Sequence, residues 1–168
     1  MKPILYLDMD GVVADFNKAY LSQWDWGDGY KFDRERFYKS VVEKHIFSDL
    51  EWMPNGIAFI SGIREIEKEF GLHIEMLTST GSKRTLVKTH ASSQKTQWLI
   101  DMGLMWKPNF VTSKPEKAQY ATPMSILIDD SEGCIKPFIA AGGFGILHKD
   151  ENYDHTLNEL YNIVSSML

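Results

Sequence analysis

The chain has 168 residues, a length that suits one domain, or one core carrying a small insert. With 43% hydrophobic and 24% charged residues it has the composition of a globular protein, and its single cysteine, Cys134, excludes an intrachain disulfide. A formal charge of −5 argues against stable binding of duplex nucleic acid, while a local basic cluster can still serve a small phosphorylated substrate.

Met1-Lys2-Pro3 lacks the layout of a signal peptide and leads straight into Ile4-Leu5-Tyr6-Leu7, an apolar run bounded by Asp8. Such a run reads as a strand buried on both faces, as in a parallel sheet. Residues 15–53 then break the pattern. They are dense in aromatics, among them Phe16, Tyr20, Trp24, Trp26, Phe37, Phe47 and Trp52. Their spacing predicts two or three short helices around a Gly-rich turn, Gly27-Asp28-Gly29, forming a small helical insert after the first strand. Residues 57–70 set Ile60, Ile63, Ile66 and Phe70 near one helical face, with Gly71 as the stop. A second strand is expected at Ile74-Glu75-Met76-Leu77. A helix is expected over residues 92–102, capped by Ser92 or Ser93 and stopped by Gly103. A weaker strand follows at Asn109-Phe110-Val111, then a strong one at Ser125-Ile126-Leu127-Ile128. A helix over 132–141, a strand at Phe144-Gly145-Ile146-Leu147 and a helix over 157–168 complete the chain. Strands alternating with helices predict an α/β fold with a mainly parallel sheet. No apolar run is long enough to span a membrane, so a soluble, cytoplasmic protein is expected.

The chemistry gathers at strand ends. In an open α/β sheet, ligands collect at the carboxyl ends of the strands. Asp8 sits at such an end, and Asp10, two residues on, can point into the same crevice because Gly11 permits a sharp exit. Two carboxylates this close repel unless a cation sits with them. A second acidic pair, Asp129-Asp130, ends the run Ile126-Leu127-Ile128, so two strands can deliver acids to one edge. Hard oxygen ligands of this kind suit Mg²⁺. Leu77 is followed by Thr78-Ser79-Thr80-Gly81-Ser82, hydroxyls and backbone N–H groups suited to phosphate oxygens. Lys95, expected to open a helix, and Lys114 and Lys117, which precede the Asp129 strand, can neutralise a phosphoryl group. Each feature also has a structural alternative. Thr78 and Ser79 can cap a helix, Lys95 can be a solvated helix residue, and at least one of Lys114 and Lys117 is expected at the surface. Trp24, Trp26 and Cys134 read as core, and the five histidines show no metal spacing.

In order, these residues resemble the four motifs of the haloacid dehalogenase-like phosphohydrolases. Asp8-Met9-Asp10-Gly11-Val12-Val13-Ala14-Asp15 is similar to the first motif and Leu77-Thr78-Ser79 to the second. A lysine supplies the third, and Ile128-Asp129-Asp130 is similar to the fourth. With Ile46-Phe47-Ser48-Asp49-Leu50-Glu51-Trp52-Met53-Pro54 added, the likeness is nearest to the 5′(3′)-deoxyribonucleotidases. It departs at Ser131, where well-known members carry arginine, and along residues 81–94.

The resemblance implies a Rossmann-like three-layer sandwich, with residues 1–14 and 54–168 as catalytic core and 15–53 as a small helical cap. It implies an aspartyl-phosphate mechanism with Asp8 as nucleophile and Asp10 as acid and base. Mg²⁺ would be held by Asp8, the Asp10 carbonyl and Asp129, with Asp130 reaching the ion through water. Thr78, Ser79, Lys95 and Lys117 would bind the phosphate, with Lys114 as the alternative to Lys117, and Phe47 would stack on the base of a nucleoside monophosphate. The alternatives are another small phosphate ester or a nucleic-acid 3′-phosphate; a receiver-type domain is disfavoured because the acidic pair comes last and an aromatic-rich insert follows the first strand, and a phosphate-binding module without catalysis is disfavoured because both Asp8 and Asp10 are present.

Overall fold

The computed structural model describes residues 2–27 and 29–168, so Met1 and Asp28, the middle of the expected Gly-rich turn, lie outside the described residues. Apolar runs form the centre. They are β1 (Ile4–Leu7), β2 (His73–Ser79), β3 (Pro108–Val111), β4 (Ser125–Asp129) and β5 (Phe144–Leu147). They make one five-stranded sheet in the order β3-β2-β1-β4-β5, with every neighbouring pair parallel. The register pairs Leu7 with Met76 on one side and with Ile128 on the other. β1 and β4 therefore end together, and Asp8 and Asp129 leave the sheet at the same edge.

The two-residue period of the strands sorts the core into two layers. Leu5, Leu7, Ile74, Met76, Ile126 and Ile128 join a large cluster with α3 (Gly56–Phe70), α4 (Thr85–Asp101) and α6 (Tyr153–Met167). Tyr6, Leu77 and Leu127 face the other way, onto Cys134, Ile135 and Phe138 of α5 (Glu132–Ala140) and onto Tyr120 of the 3-10 segment Lys114–Tyr120. The fold is thus a Rossmann-like α/β sandwich of three layers. No helix among the described residues is long and apolar enough to cross a membrane.

Between β1 and α3 the chain forms α1 (Phe16–Gln23), α2 (Arg34–Val42) and a 3-10 turn, Ile46–Ser48. Asp15 caps α1 by accepting from Lys18 N, and Asp33 caps α2 by accepting from the amides of Glu35 and Arg36. This segment shares the large core and is bonded to α4. Gln94 Nε2 donates to the Val41 carbonyl at 2.8 Å, Gln94 Oε1 accepts from Phe47 N at 3.2 Å, and Trp98 Nε1 donates to the Leu50 carbonyl at 2.8 Å.

Two helices begin earlier than their sequence pattern predicts. α4 starts at Thr85, not near Ser92, so Ser92 and Ser93 lie inside it and cap nothing, and Lys95 is mid-helix. α6 starts at Tyr153 rather than at Leu157.

Candidate active site

β1 delivers Asp8, whose amide still bonds the Ile128 carbonyl at 3.0 Å. The chain then folds over itself: the amides of Val13 and Ala14 both return to the Met9 carbonyl, at 2.9 and 3.0 Å. Gly11 makes this turn with φ +81°. A Cβ there would lie 2.1 Å from Asp130 Oδ2, so glycine is what lets the second acidic pair approach the first. β4 delivers Asp129, whose Oδ1 accepts from Ser131 N at 2.9 Å. The position where the resembling family carries arginine thus serves here through its backbone.

Carboxylate oxygens of Asp8, Asp129 and Asp130 all lie within 4.8 Å of one another. At that separation two charges repel by roughly 3–4 kcal/mol at an effective dielectric of about 20. Lys117, from the 3-10 segment, offsets part of this. It is buried, and its Nζ donates to Asp8 Oδ1 at 2.9 Å and to Asp129 Oδ2 at 2.7 Å. Burial works to lower the Lys117 pKa, but Asp8 and Asp129 outweigh it and hold the ammonium above its usual range. Lys114, in the same segment, is exposed and stands apart from this contact.

Lys95 has the matching place on Asp10. It is fully buried in α4, and its Nζ donates to Asp10 Oδ2 at 2.8 Å, to Thr78 Oγ1 at 2.7 Å and to the Ser79 carbonyl at 2.8 Å. Ser79 Oγ accepts from Gly81 N at 3.1 Å. Asp10 Oδ1 is buried without a hydrogen-bond partner among the described residues. Burial raises the pKa of Asp10, opposed by Lys95 and reinforced by Asp8. Burial also raises Asp8, with Asp129 adding to the effect and Lys117 opposing it. Asp130 is exposed along its outer side, yet its carboxyl faces the acids, and loss of water on that inner side together with Asp8 and Asp129 pushes its pKa up to about 8.

The excess of negative charge is what a divalent cation would relieve. The donors are hard carboxylate oxygens, and one oxygen of Asp8 has no donor among the described residues. No donor among the described residues reaches the Asp10 carbonyl either. The residues present therefore fit Mg²⁺.

Phe47 lies beside this centre but not open to it. Its ring is 2% exposed, stacked on Phe16 at 5.4 Å, with Lys95 Nζ 4.5 Å from its centroid. With so little exposure, the ring expected to stack on a base is packed inside the protein. A cavity of about 360 Å³ opens beside Asp10 and Asp130, and among the lining residues that the sequence did not single out are an aromatic ring and an imidazole. One is Phe16, half-buried at the start of α1. The other is His148, whose position directly after β5 puts it at the same sheet edge as Asp8 and Asp129, and that placement is the signal that marks it. A larger cavity, about 680 Å³, lies against α3 and the end of α4 and contains none of these carboxylates. Chemistry rather than size selects the site.

No protein-family model and no curated protein matches the chain. The site's own geometry therefore carries the functional argument: two carboxylates, each tied to its own buried lysine, beside a set of acids with the character of a cation site.

Proposed function

We propose that the protein is a Mg²⁺-dependent phosphomonoesterase of the haloacid dehalogenase-like type, working through an aspartyl-phosphate on Asp8. Nucleoside monophosphates are the proposed substrates. The observation that carries the reading is the separate pairing of Asp8 with Lys117 and of Asp10 with Lys95, both lysines being buried.

Phosphate esters resist attack because their oxygens are negative, so a site must supply positive charge and hold the nucleophile in line. Lys117 fixes one oxygen of Asp8 and leaves the other to attack phosphorus. As that bond forms, the bond to the leaving oxygen breaks. Asp10 gives the departing alkoxide a proton, and burial favours its protonated form. Water then attacks the phosphorus of the aspartyl-phosphate, its proton passes to Asp10, and phosphate leaves with Asp8 restored. The Thr78 and Ser79 hydroxyls, Lys95 and Lys117 are the proposed partners of the phosphoryl oxygens. Mg²⁺, held by Asp8, the Asp10 carbonyl and Asp129 with Asp130 behind them, would neutralise phosphoryl charge.

The test is a phosphate-release screen in Mg²⁺ over deoxy- and ribonucleoside monophosphates, sugar phosphates and 3′-phosphorylated oligonucleotides. The highest kcat/KM is expected for a nucleoside monophosphate. Hydrolysis of none of them would overturn the proposal, and preference for another class would overturn its substrate half.

A further inference from the structure

A separate cavity, of about 430 Å³, opens between α2 and the loop that leaves β2. It is lined by the rings of Phe32, Phe37 and Tyr38 and by the cations Arg34, Lys83 and Arg84. The three cations are exposed. The Arg84 guanidinium lies 4.2 Å from the centroid of the Tyr38 ring, and its nitrogen stands 3.7 Å from Glu35. The cavity beside Asp10 has the opposite character, with Asp15, Asp130, Asp150 and Glu151 set against Lys149. In a chain of net charge −5, cations and rings gathered at one cleft run against the overall field.

The cleft adjoins the catalytic edge. It begins at Gly81, whose amide donates to Ser79 Oγ at 3.1 Å. The Ser79 carbonyl accepts from the same Lys95 ammonium that holds Asp10. Phe37 of the cleft and Phe16 of the acidic cavity meet edge to face at 6.2 Å, so the two linings touch.

We infer that this cleft receives the leaving-group side of a substrate that carries an aromatic ring and a second phosphate, the chemistry of a nucleoside bisphosphate. The inference rests on the phosphomonoesterase reading for the identity of the reacting group. Exposed Phe32 and half-buried Tyr38 offer faces to a base. Lys83, Arg84 and Arg34 supply charge-assisted donors to a phosphate. The acidic cavity repels the same group, so a second phosphate has one favourable direction to lie in.

The probes are thymidine 3′,5′-bisphosphate and thymidine 5′-monophosphate. Their binding to an Asp8→Asn variant, which lacks the attacking oxygen, is measured by calorimetry. Turnover of a small aryl phosphate, in variants that keep Asp8, reads the catalytic centre separately. The bisphosphate is expected to bind at least about 10-fold more tightly, the worth of one good charge-assisted contact. Adding Lys83→Ala and Arg84→Ala should remove that advantage and leave monophosphate affinity within about twofold, with aryl phosphate turnover at the wild-type rate. Equal affinity for the two probes overturns the inference, as does an advantage that survives the double substitution or a parallel fall in aryl phosphate turnover. Absence of aryl phosphate turnover in the wild-type protein overturns the phosphatase reading instead, and the binding comparison still decides the cleft.

Discussion

Asp8 and Asp10 stand two residues apart and are held by different lysines from different elements, so their roles are separable by substitution. Asp8→Asn keeps the shape but removes the anionic oxygen proposed to attack, and turnover should fall by at least about a thousandfold on every substrate. Asp10→Asn leaves Asp8 in place but removes the proposed proton donor. Its loss should be large for a nucleoside alkoxide and much smaller for an aryl phosphate, whose leaving group needs little protonation. Equal losses on the two substrates would falsify the acid–base assignment. Phe47 makes a third case. Its ring is stacked on Phe16 and enclosed by the core, so Phe47→Ala should leave a cavity and cost about 3–5 kcal/mol of stability. Urea unfolding reads this directly. An unchanged midpoint, with loss confined to nucleotide substrates, would return Phe47 to a stacking role.

The elements that carry the acids were legible from sequence, and the reason is burial. β1 and β4 are enclosed on both faces, so each reads as an unbroken apolar run whose end is marked by its first acid, Asp8 or Asp129. β3, at the edge of the sheet, is half-buried over Pro108, Asn109 and Phe110, and its signal is correspondingly faint. The first half of α4 was not legible. Its inward face runs Val87, Ala91, Gln94, Lys95, Trp98 and Leu99, a helical spacing interrupted by a small residue and two polar ones. Gln94 and Lys95, which bond Val41 and Asp10, lie in the half that was predicted; the half before Ser92 buries only Val87 and Ala91 and leaves Leu86 exposed, so it carries no apolar stripe to read. The turn after β1 depends on Gly11. Gly11→Ala places a methyl where Asp130 Oδ2 lies and strains a residue at φ +81°. The strain alone is about 1–2 kcal/mol. Stability should therefore fall by at least that much, and the Mg²⁺ concentration needed for activity should rise because Asp130 must move. An alanine variant with wild-type stability and Mg²⁺ dependence would show that the turn has room to adjust.

At the scale of the whole molecule, the fold brings Asp8 to the distant pair Asp129 and Asp130 at one edge of the sheet. Unfolding separates Asp8 from that pair, so the metal-free fold bears a repulsion that unfolding relieves. Asp130 shows the sign of the effect. Its pKa rises from 3.8 in a free side chain to about 8 in the fold, so between those values the folded protein binds a proton that the unfolded chain does not. Stability then falls as pH rises across that window, and at pH 8 the metal-free protein should melt lower than at pH 5 so far as this group is concerned. Asp130→Asn should flatten the slope and raise the melting temperature in chelator at pH 8. Mg²⁺ should reverse the ranking if the proposed site binds it, because a cation bound only by the folded state stabilises it by mass action, by about 2.7 kcal/mol at a hundred times its dissociation constant. For a chain of this length that is a shift of roughly 5–10 °C. Wild-type protein should show the shift, and Asp130→Asn and Asp129→Asn a smaller one. The wild-type shift should also shrink toward pH 5, where protons compete for the same oxygens. Thermal melts at the two pH values, with chelator and with Mg²⁺, test all of this without reference to turnover. A wild-type melting temperature indifferent to Mg²⁺ at pH 8, or a shift of equal size in both variants, would mean that these carboxylates hold no cation.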